Sequence, residues 1–120
     1  MEHVAIAELA PSLPSPDTKA IKAVVTLIWP FSSSTRQAAL LLAEPDFRLR
    51  RRKGQVRVRL AGAGAEAVAR SHVSIGDKVT LRLVGAQWIN NVGDTKMPGR
   101  SVDWELQYGQ RLVMQVCGRA

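Results

Sequence analysis

The sequence has 120 residues, of which 46% are hydrophobic and 22% are charged. This is the balance of one globular domain and not of a disordered chain. No apolar run is long enough to cross a bilayer, and residues 1–12 carry no Lys or Arg, so we expect neither a membrane span nor a signal peptide. The single cysteine, Cys117, cannot form an intrachain disulfide, which favours a reducing compartment, cytosol or nucleus.

The net charge of +7 is concentrated in one stretch of the chain. Between Phe47 and Arg59 there are seven basic residues and no acid, whereas the rest of the chain holds ten basic and ten acidic residues. Such a patch attracts a polyanion and raises its local concentration. The seven are Arg48, Arg50, Arg51, Arg52, Lys53, Arg57 and Arg59.

Residues 1–18 contain Pro11, Pro14 and Pro16 with serines between them, which is typical of an arm or linker laid over the surface. A helix over residues 2–9 is only weakly indicated. We therefore predict a globular domain over residues 19–117 and a short tail over residues 118–120.

Three strands are predicted in the first half of the domain. Residues 21–29 are rich in Val, Ile and Thr, and Pro30 is expected to end that strand. Residues 36–44 have a composition that suits a helix or a strand, and we predict a strand because a hairpin with the first strand would bury both. Residues 55–60 (QVRVRL) alternate with period two, which places Arg57 and Arg59 on one face.

The second half begins with an alanine-rich segment, residues 63–71, predicted as a short helix. A turn at Gly76 then leads into a strand over residues 79–89, followed by a loop over residues 90–100. The last stretch, residues 101–116, alternates and is interrupted at Gly109, which indicates a bend or bulge.

The order of these elements is three strands, a helix and two strands. It predicts an all-β chain with the OB-fold, a five-stranded Greek-key barrel with a short helix between strands three and four. An SH3-like barrel is the nearest competitor, but it has no helix at that place.

Four segments resemble the telomere end-binding and protection-of-telomeres family. Residues 24–30 (VVTLIWP) and 40–47 (LLLAEPDF) are similar to its first two strands, and residues 56–60 (VRVRL) and 75–83 (IGDKVTLRL) to its third and fourth strands. The resemblance covers about residues 19–116. It implies an OB-fold domain that binds G-rich single-stranded telomeric DNA, protects chromosome ends in the nucleus, and has other telomere proteins as further partners.

OB-folds bind a strand across their second and third strands, where phosphates need Lys or Arg and unstacked bases need flat partners. Arg57 and Arg59 lie on that face in the prediction, although alternating charge is also typical of a solvated strand. The basic loop is interpreted as a nucleic-acid contact, with a solvated loop or a nuclear-import signal as the alternatives. The further cationic candidates near the same groove are Arg36, Lys96 and Arg100.

Two aromatic residues are candidates for base stacking. Phe31 lies in a polar Ser/Thr loop, and its alternative role is to close the end of the barrel. Trp88 ends the fourth strand, and core packing is its alternative. Trp29, Trp104 and Tyr108 are predicted to belong to the core.

Nothing in the sequence indicates an enzyme, a metal site or a cofactor. The carboxylates show no paired acid–base arrangement, His3 and His72 lack ligand spacing, and no glycine-rich phosphate loop is present. We expect no membrane partner and no small-molecule substrate. Two alternatives to telomeric DNA stay open: a protein-interaction module of a telomere or replication complex, and a non-specific binder of single-stranded DNA or RNA.

Overall fold

The computed structural model describes residues 2–46, 54–90, 104–109 and 112–119, with the backbone alone at Asn90 and residues 117–119. In those ranges the chain forms eight strands, one α-helix and two 3-10 turns. The strands are β1 (Glu2–His3), β2 (Lys19–Ser32), β3 (Gln37–Ala43), β4 (Gln55–Ala61), β5 (Asp77–Arg82), β6 (Gln87–Asn90), β7 (Trp104–Tyr108) and β8 (Met114–Arg119). The helix α1 is Gly62–Arg70, and the 3-10 turns are Ile6–Glu8 and Pro16–Thr18.

The strands β2, β3 and β4 form an antiparallel meander. The alternation predicted for β4 is confirmed, because Val56, Val58 and Leu60 are buried while Arg57 and Arg59 lie on the other face. The segment for which helix and strand were both open is a strand, since β3 pairs with β2 on one edge and with β4 on the other.

The strand β2 continues past Pro30, where the sequence predicted its end. The register with β3 shifts between Trp29 and Ser32, so Pro30 lies at an irregularity of the ladder. Proline is tolerated at such a position because no ladder hydrogen bond needs its missing N–H.

Helix α1 follows β4 directly and lies at the predicted place between the third and fourth strands of the barrel. It buries Ala65 and Val68. These two side chains join the core cluster formed by the inner faces of the strands, so the helix contributes one side of the core.

The predicted strand over residues 79–89 is divided in two. The strand β5 ends at Arg82, and a turn with Gly85 at φ 84° leads into β6. The backbone N–H of Ala86 donates to the carbonyl of Leu83 at 3.1 Å, as a tight turn requires. A left-handed residue such as Gly85 breaks an extended strand, so β6 turns away and pairs with β7 instead.

The last stretch is divided as well, and its two halves pair with different parts of the sheet. Its first half, β7, pairs in parallel with β4, and its second half, β8, pairs antiparallel with β5. The sheet therefore runs β6-β7-β4-β3-β2-β5-β8, so β7 lies next to one edge strand and β8 is the edge strand on the other side. This arrangement, with the helix between the third and fourth principal strands, is the predicted OB-type barrel.

The N-terminal arm contributes to the core. Ile6 is fully buried and Leu9 is 3% exposed, and both belong to the core cluster. The backbone N–H of Ile6 donates to Oε1 of the buried Glu44 at 2.6 Å, and β1 pairs in parallel with the start of β2. The arm is thus held by the barrel and not only laid over it, and at the other end β8 extends to Arg119, two residues beyond the predicted domain end. The domain division itself stays a prediction.

Candidate nucleic-acid interface

The candidate site is the outer face of β2, β3, β4 and β7 near the end of the sheet where β3 begins. The register aligns Trp29 with Ala39, Ala39 with Arg59, and Arg59 with Gln107, so these residues lie in one row across four strands. A groove of about 320 Å³ lies along this row. Its lining residues are Trp29, Pro30, Gln37, Ala38, Ala39, Arg57, Arg59, Leu60, Ala61 and Gln107.

The two arginines of β4 share one buried carboxylate. Glu105 of β7 lies beside them and is only 1% exposed, although it faces the outside of the barrel. Nη2 of Arg57 donates to Oε1 of Glu105, and Nε of Arg59 lies 2.7 Å from Oε2 of the same carboxylate. The formal charges of the three side chains sum to one positive charge, and each guanidinium lies against one oxygen of the carboxylate.

The two arginines differ in how much of them solvent reaches. The side chain of Arg57 is 12% exposed, whereas that of Arg59 is 52% exposed. Arg59 can therefore offer donors to a ligand in the groove, while Arg57 is largely covered by its neighbours.

Trp29 is one of those neighbours. The guanidinium carbon of Arg57 lies 5.7 Å from the centroid of the Trp29 ring, within the range of a cation–π contact. The tryptophan is nevertheless 39% exposed, so its ring covers the arginine and still presents an aromatic surface to the groove. The prediction that Trp29 belongs to the core is wrong.

Polar amides complete the lining of the groove. Gln37 is exposed at the start of β3, and Gln107 is half-buried on β7. An amide offers both donors and an acceptor, so these side chains can pair with the edge of a nucleobase.

The other predicted site residues within the described ranges lie apart from this row. Arg36 is exposed with φ 54°, and its guanidinium is 2.9 Å from a carboxylate oxygen of Glu66 on α1. Phe31 is half-buried and packs against the core, where it lines a second cavity of about 250 Å³ with Val68 and Val73. This favours the barrel-end role of Phe31 that the sequence left open.

Trp88 is half-buried on β6 and packs against the core cluster. Its partner across the ladder is Leu106 of β7, which is fully buried. The geometry favours core packing for Trp88 over base stacking. The remaining predicted site residues lie outside the described residues: Arg48, Arg50, Arg51, Arg52, Lys53, Lys96 and Arg100.

Sequence reasoning did not assign to the site several residues that the fold places on its outward faces. Trp29 was predicted to belong to the core and Glu105 was given no role, because each lies on an outward position of a strand rich in apolar residues. Lys22 and Lys78 were also missed, and they line a separate groove of about 320 Å³ beside Pro45. Both lysines lie on outward positions, Lys22 on β2 and Lys78 on β5. The pairing of Val24 with Lys78 brings the two side chains to one groove, and the sequence alone does not show that pairing.

The described part of the chain contains no group of three or more His, Cys, Asp or Glu side chains arranged to hold a metal ion. None of its helices has the length and apolar character of a membrane span.

Comparison with known proteins gives a family and a structural likeness. A family model described as "Domain of unknown function (DUF8502)" matches residues 1–120. No curated protein matches the sequence. The crystal structure of Schizosaccharomyces pombe Pot1pC bound to ssDNA (CGGTTACGGT) is similar, with a TM-score of 0.58 and 13% sequence identity over 97% of this chain and 86% of that chain. At that identity the likeness shows the fold, and it supports the OB assignment.

Proposed function

This chain belongs to the DUF8502 family, and from that premise we propose that it binds single-stranded nucleic acid in the groove of β2, β3, β4 and β7. The observation that carries the proposal is the row of Trp29, Arg59 and Gln107 on one open face of an OB-type barrel. A half-exposed indole, a half-exposed guanidinium and an amide are the three kinds of group that unpaired nucleotides need.

The lining of the groove favours a single strand. The cavity of about 320 Å³ borders the flat indole of Trp29, which offers unpaired bases a stacking surface. The net charge of +7 adds long-range attraction for a polyanion. A duplex hides its base faces and gains nothing from an exposed tryptophan.

The ligand that we propose is G-rich telomeric DNA, with protection of chromosome ends in the nucleus as the role. Two observations support it: the segments that resemble the telomere end-binding family, and the structural neighbour bound to ssDNA of sequence CGGTTACGGT. In that role other telomere proteins are further partners, and the chain catalyses no reaction.

Binding to labelled oligonucleotides tests the proposal. We expect the strand CGGTTACGGT to bind more tightly than its scrambled version, its duplex and the matching RNA, with affinity falling steeply as salt rises. Equal binding of all single strands would leave the non-specific function. A lack of binding to any nucleic acid at low salt would reject the proposal and favour the protein-interaction module.

A substitution of Trp29 tests the groove itself. We expect Trp29→Ala to weaken binding about 5- to 150-fold, because one stacked base contributes about 1–3 kcal/mol. Ile75→Ala is a matched control, since Ile75 is 57% exposed and does not line the groove. Charge reversal of Arg57 or Arg59 is a poor test, because it would add a carboxylate beside the buried Glu105 and destabilise the fold. If Trp29→Ala binds as tightly as the wild type, the strand lies elsewhere.

A further inference from the structure

Glu105 is the most unusual charge in the described part of the chain. Outward positions of a strand normally place a carboxylate in water, yet Glu105 is 1% exposed. It is covered from the side of β4 by two arginines, and its neighbour across the ladder with β6 is Ile89. Burying a charge is costly unless it is paired, so the arginines are what keep this carboxylate in place.

The carboxylate in turn fixes where the arginines point. Each of its two oxygens faces a different guanidinium, Oε1 that of Arg57 and Oε2 that of Arg59. Arg57 is thereby held in the layer directly against the sheet, where the Trp29 ring covers it. The contact with Oε1 of Glu105 thus orients the long Arg57 side chain along the sheet, and the guanidinium held there is the surface on which the Trp29 ring rests.

We propose that Glu105 is a positioning residue of the nucleic-acid groove, which acts through Arg57 to hold the Trp29 ring flat for base stacking. The inference rests on the proposed function. It gives a negatively charged residue a role in binding an anion. Attraction between opposite charges alone would predict no such role.

The two explanations predict opposite results for the same substitution. Glu105→Gln removes a negative charge and raises the net charge, so attraction alone would strengthen binding to a polyanion. If Glu105 positions the stack, the same variant binds more weakly because the weaker amide contact no longer fixes Arg57. Glu105→Asp keeps the charge but shortens the side chain. Positioning therefore predicts weaker binding for this variant, whereas attraction alone predicts unchanged binding.

The experiment measures the affinity of the full chain for CGGTTACGGT at a temperature where circular dichroism shows each variant folded. We expect Glu105→Gln and Glu105→Asp each to weaken binding by about 5-fold or more, the lower end for one stacked base. Glu2→Gln is the matched control, because the exposed carboxylate of Glu2 also pairs with a basic residue, Lys19 at 3.7 Å, and lies outside the groove. We expect it to bind as tightly as the wild type or slightly more tightly.

A double-mutant cycle separates positioning from a general loss of stability. If Glu105 acts through the indole, Glu105→Gln weakens binding much less in the Trp29→Ala background than in the wild type. Equal losses in both backgrounds, or an unchanged or higher affinity of Glu105→Gln, would overturn the inference. A wild-type chain that binds no single strand would instead reject the proposed function.

Discussion

At the scale of single residues, buried polar side chains connect segments that are distant along the chain. The hydroxyl of Tyr108, at the end of β7, donates to the carbonyl of Arg82, at the end of β5, at 2.8 Å. Glu44 connects the N-terminal arm to the end of β3 in the same way. These bonds lie where the ladders end, so they satisfy groups that strand pairing leaves over.

Tyr108 makes stability dependent on pH in the alkaline range. Burial raises the pKa of its hydroxyl above the ordinary value of 10.0, because the phenolate is poorly solvated there. The unfolded chain ionises near that ordinary value, so the contribution of Tyr108 is complete below it and is lost as the pH rises above it. We expect Tyr108→Phe to lower the free energy of unfolding by about 1 kcal/mol at neutral pH, with the difference from wild type shrinking in alkaline solution.

Urea denaturation of both proteins from neutral pH to beyond the ordinary tyrosine pKa measures this difference. If the free energies of unfolding of wild type and variant differ by the same amount at every pH, Tyr108 is not the group that causes the alkaline loss of stability.

At the scale of elements, the start of α1 is joined to the bend between β7 and β8. The backbone N–H of Gly64 donates to the carbonyl of Gly109 at 3.0 Å. A Cβ built on Gly64 would lie 2.7 Å from that carbonyl oxygen, closer than such contacts allow. The helix therefore approaches the bend only because position 64 has no side chain.

Replacement of Gly64 by Ala gives the opposite of what helix propensity predicts. Alanine in place of glycine stabilises an unconstrained helix by about 1 kcal/mol. Here we expect Gly64→Ala to destabilise the protein by about 1–3 kcal/mol, because the methyl group forces the helix away from Gly109. Chemical denaturation measures the change.

Gly109→Ala is the control on the other side of the same contact, since a Cβ there meets no described atom within 4 Å. We expect it to change stability by less than about 0.5 kcal/mol. A stabilised Gly64→Ala variant would mean that the helix can move at no cost.

At the scale of the whole molecule, two grooves lined by basic side chains lie at opposite ends of one sheet. The Trp29 groove lies where Trp29 pairs with Ala39, toward the start of β3. The groove of Lys22 and Lys78 lies toward the end of β3, where Val24 pairs with Ala43 and Pro45 follows. The connection between β3 and β4 that carries the basic stretch leaves the sheet at this second end, as its last described residues before the gap are Pro45 and Asp46.

The second groove is suited to phosphates and not to bases, because its charged side chains are exposed lysines without an aromatic partner in its lining. We expect Lys22→Gln and Lys78→Gln each to reduce the slope of log affinity against log salt by about one unit, with little change in the preference among strands. Arg70→Gln, exposed at the end of α1, is the control and keeps the wild-type slope. Slopes that do not change in either lysine variant would restrict the bound strand to the Trp29 groove.

Much of the fold was accessible from local patterns. The alternation of residues 55–60 placed Arg57 and Arg59 on one face, and the element order predicted the OB barrel that the structure confirms. Local patterns did not show which residues of β2 face the core and which face outward. Its apolar run has no alternation, and the register shift between Val25 and Leu27 moves odd-numbered residues from the inner face to the outer one.

By itself, the sequence determined the class of the fold, the place of the helix and the excess of positive charge, because these depend on composition and on periods of a few residues. Only the tertiary structure decided what the groove consists of. Trp29 reaches it through a bulge, and Glu105 reaches Arg57 across 48 positions of chain. Contacts between segments so far apart follow from strand order and register, and no local pattern encodes either.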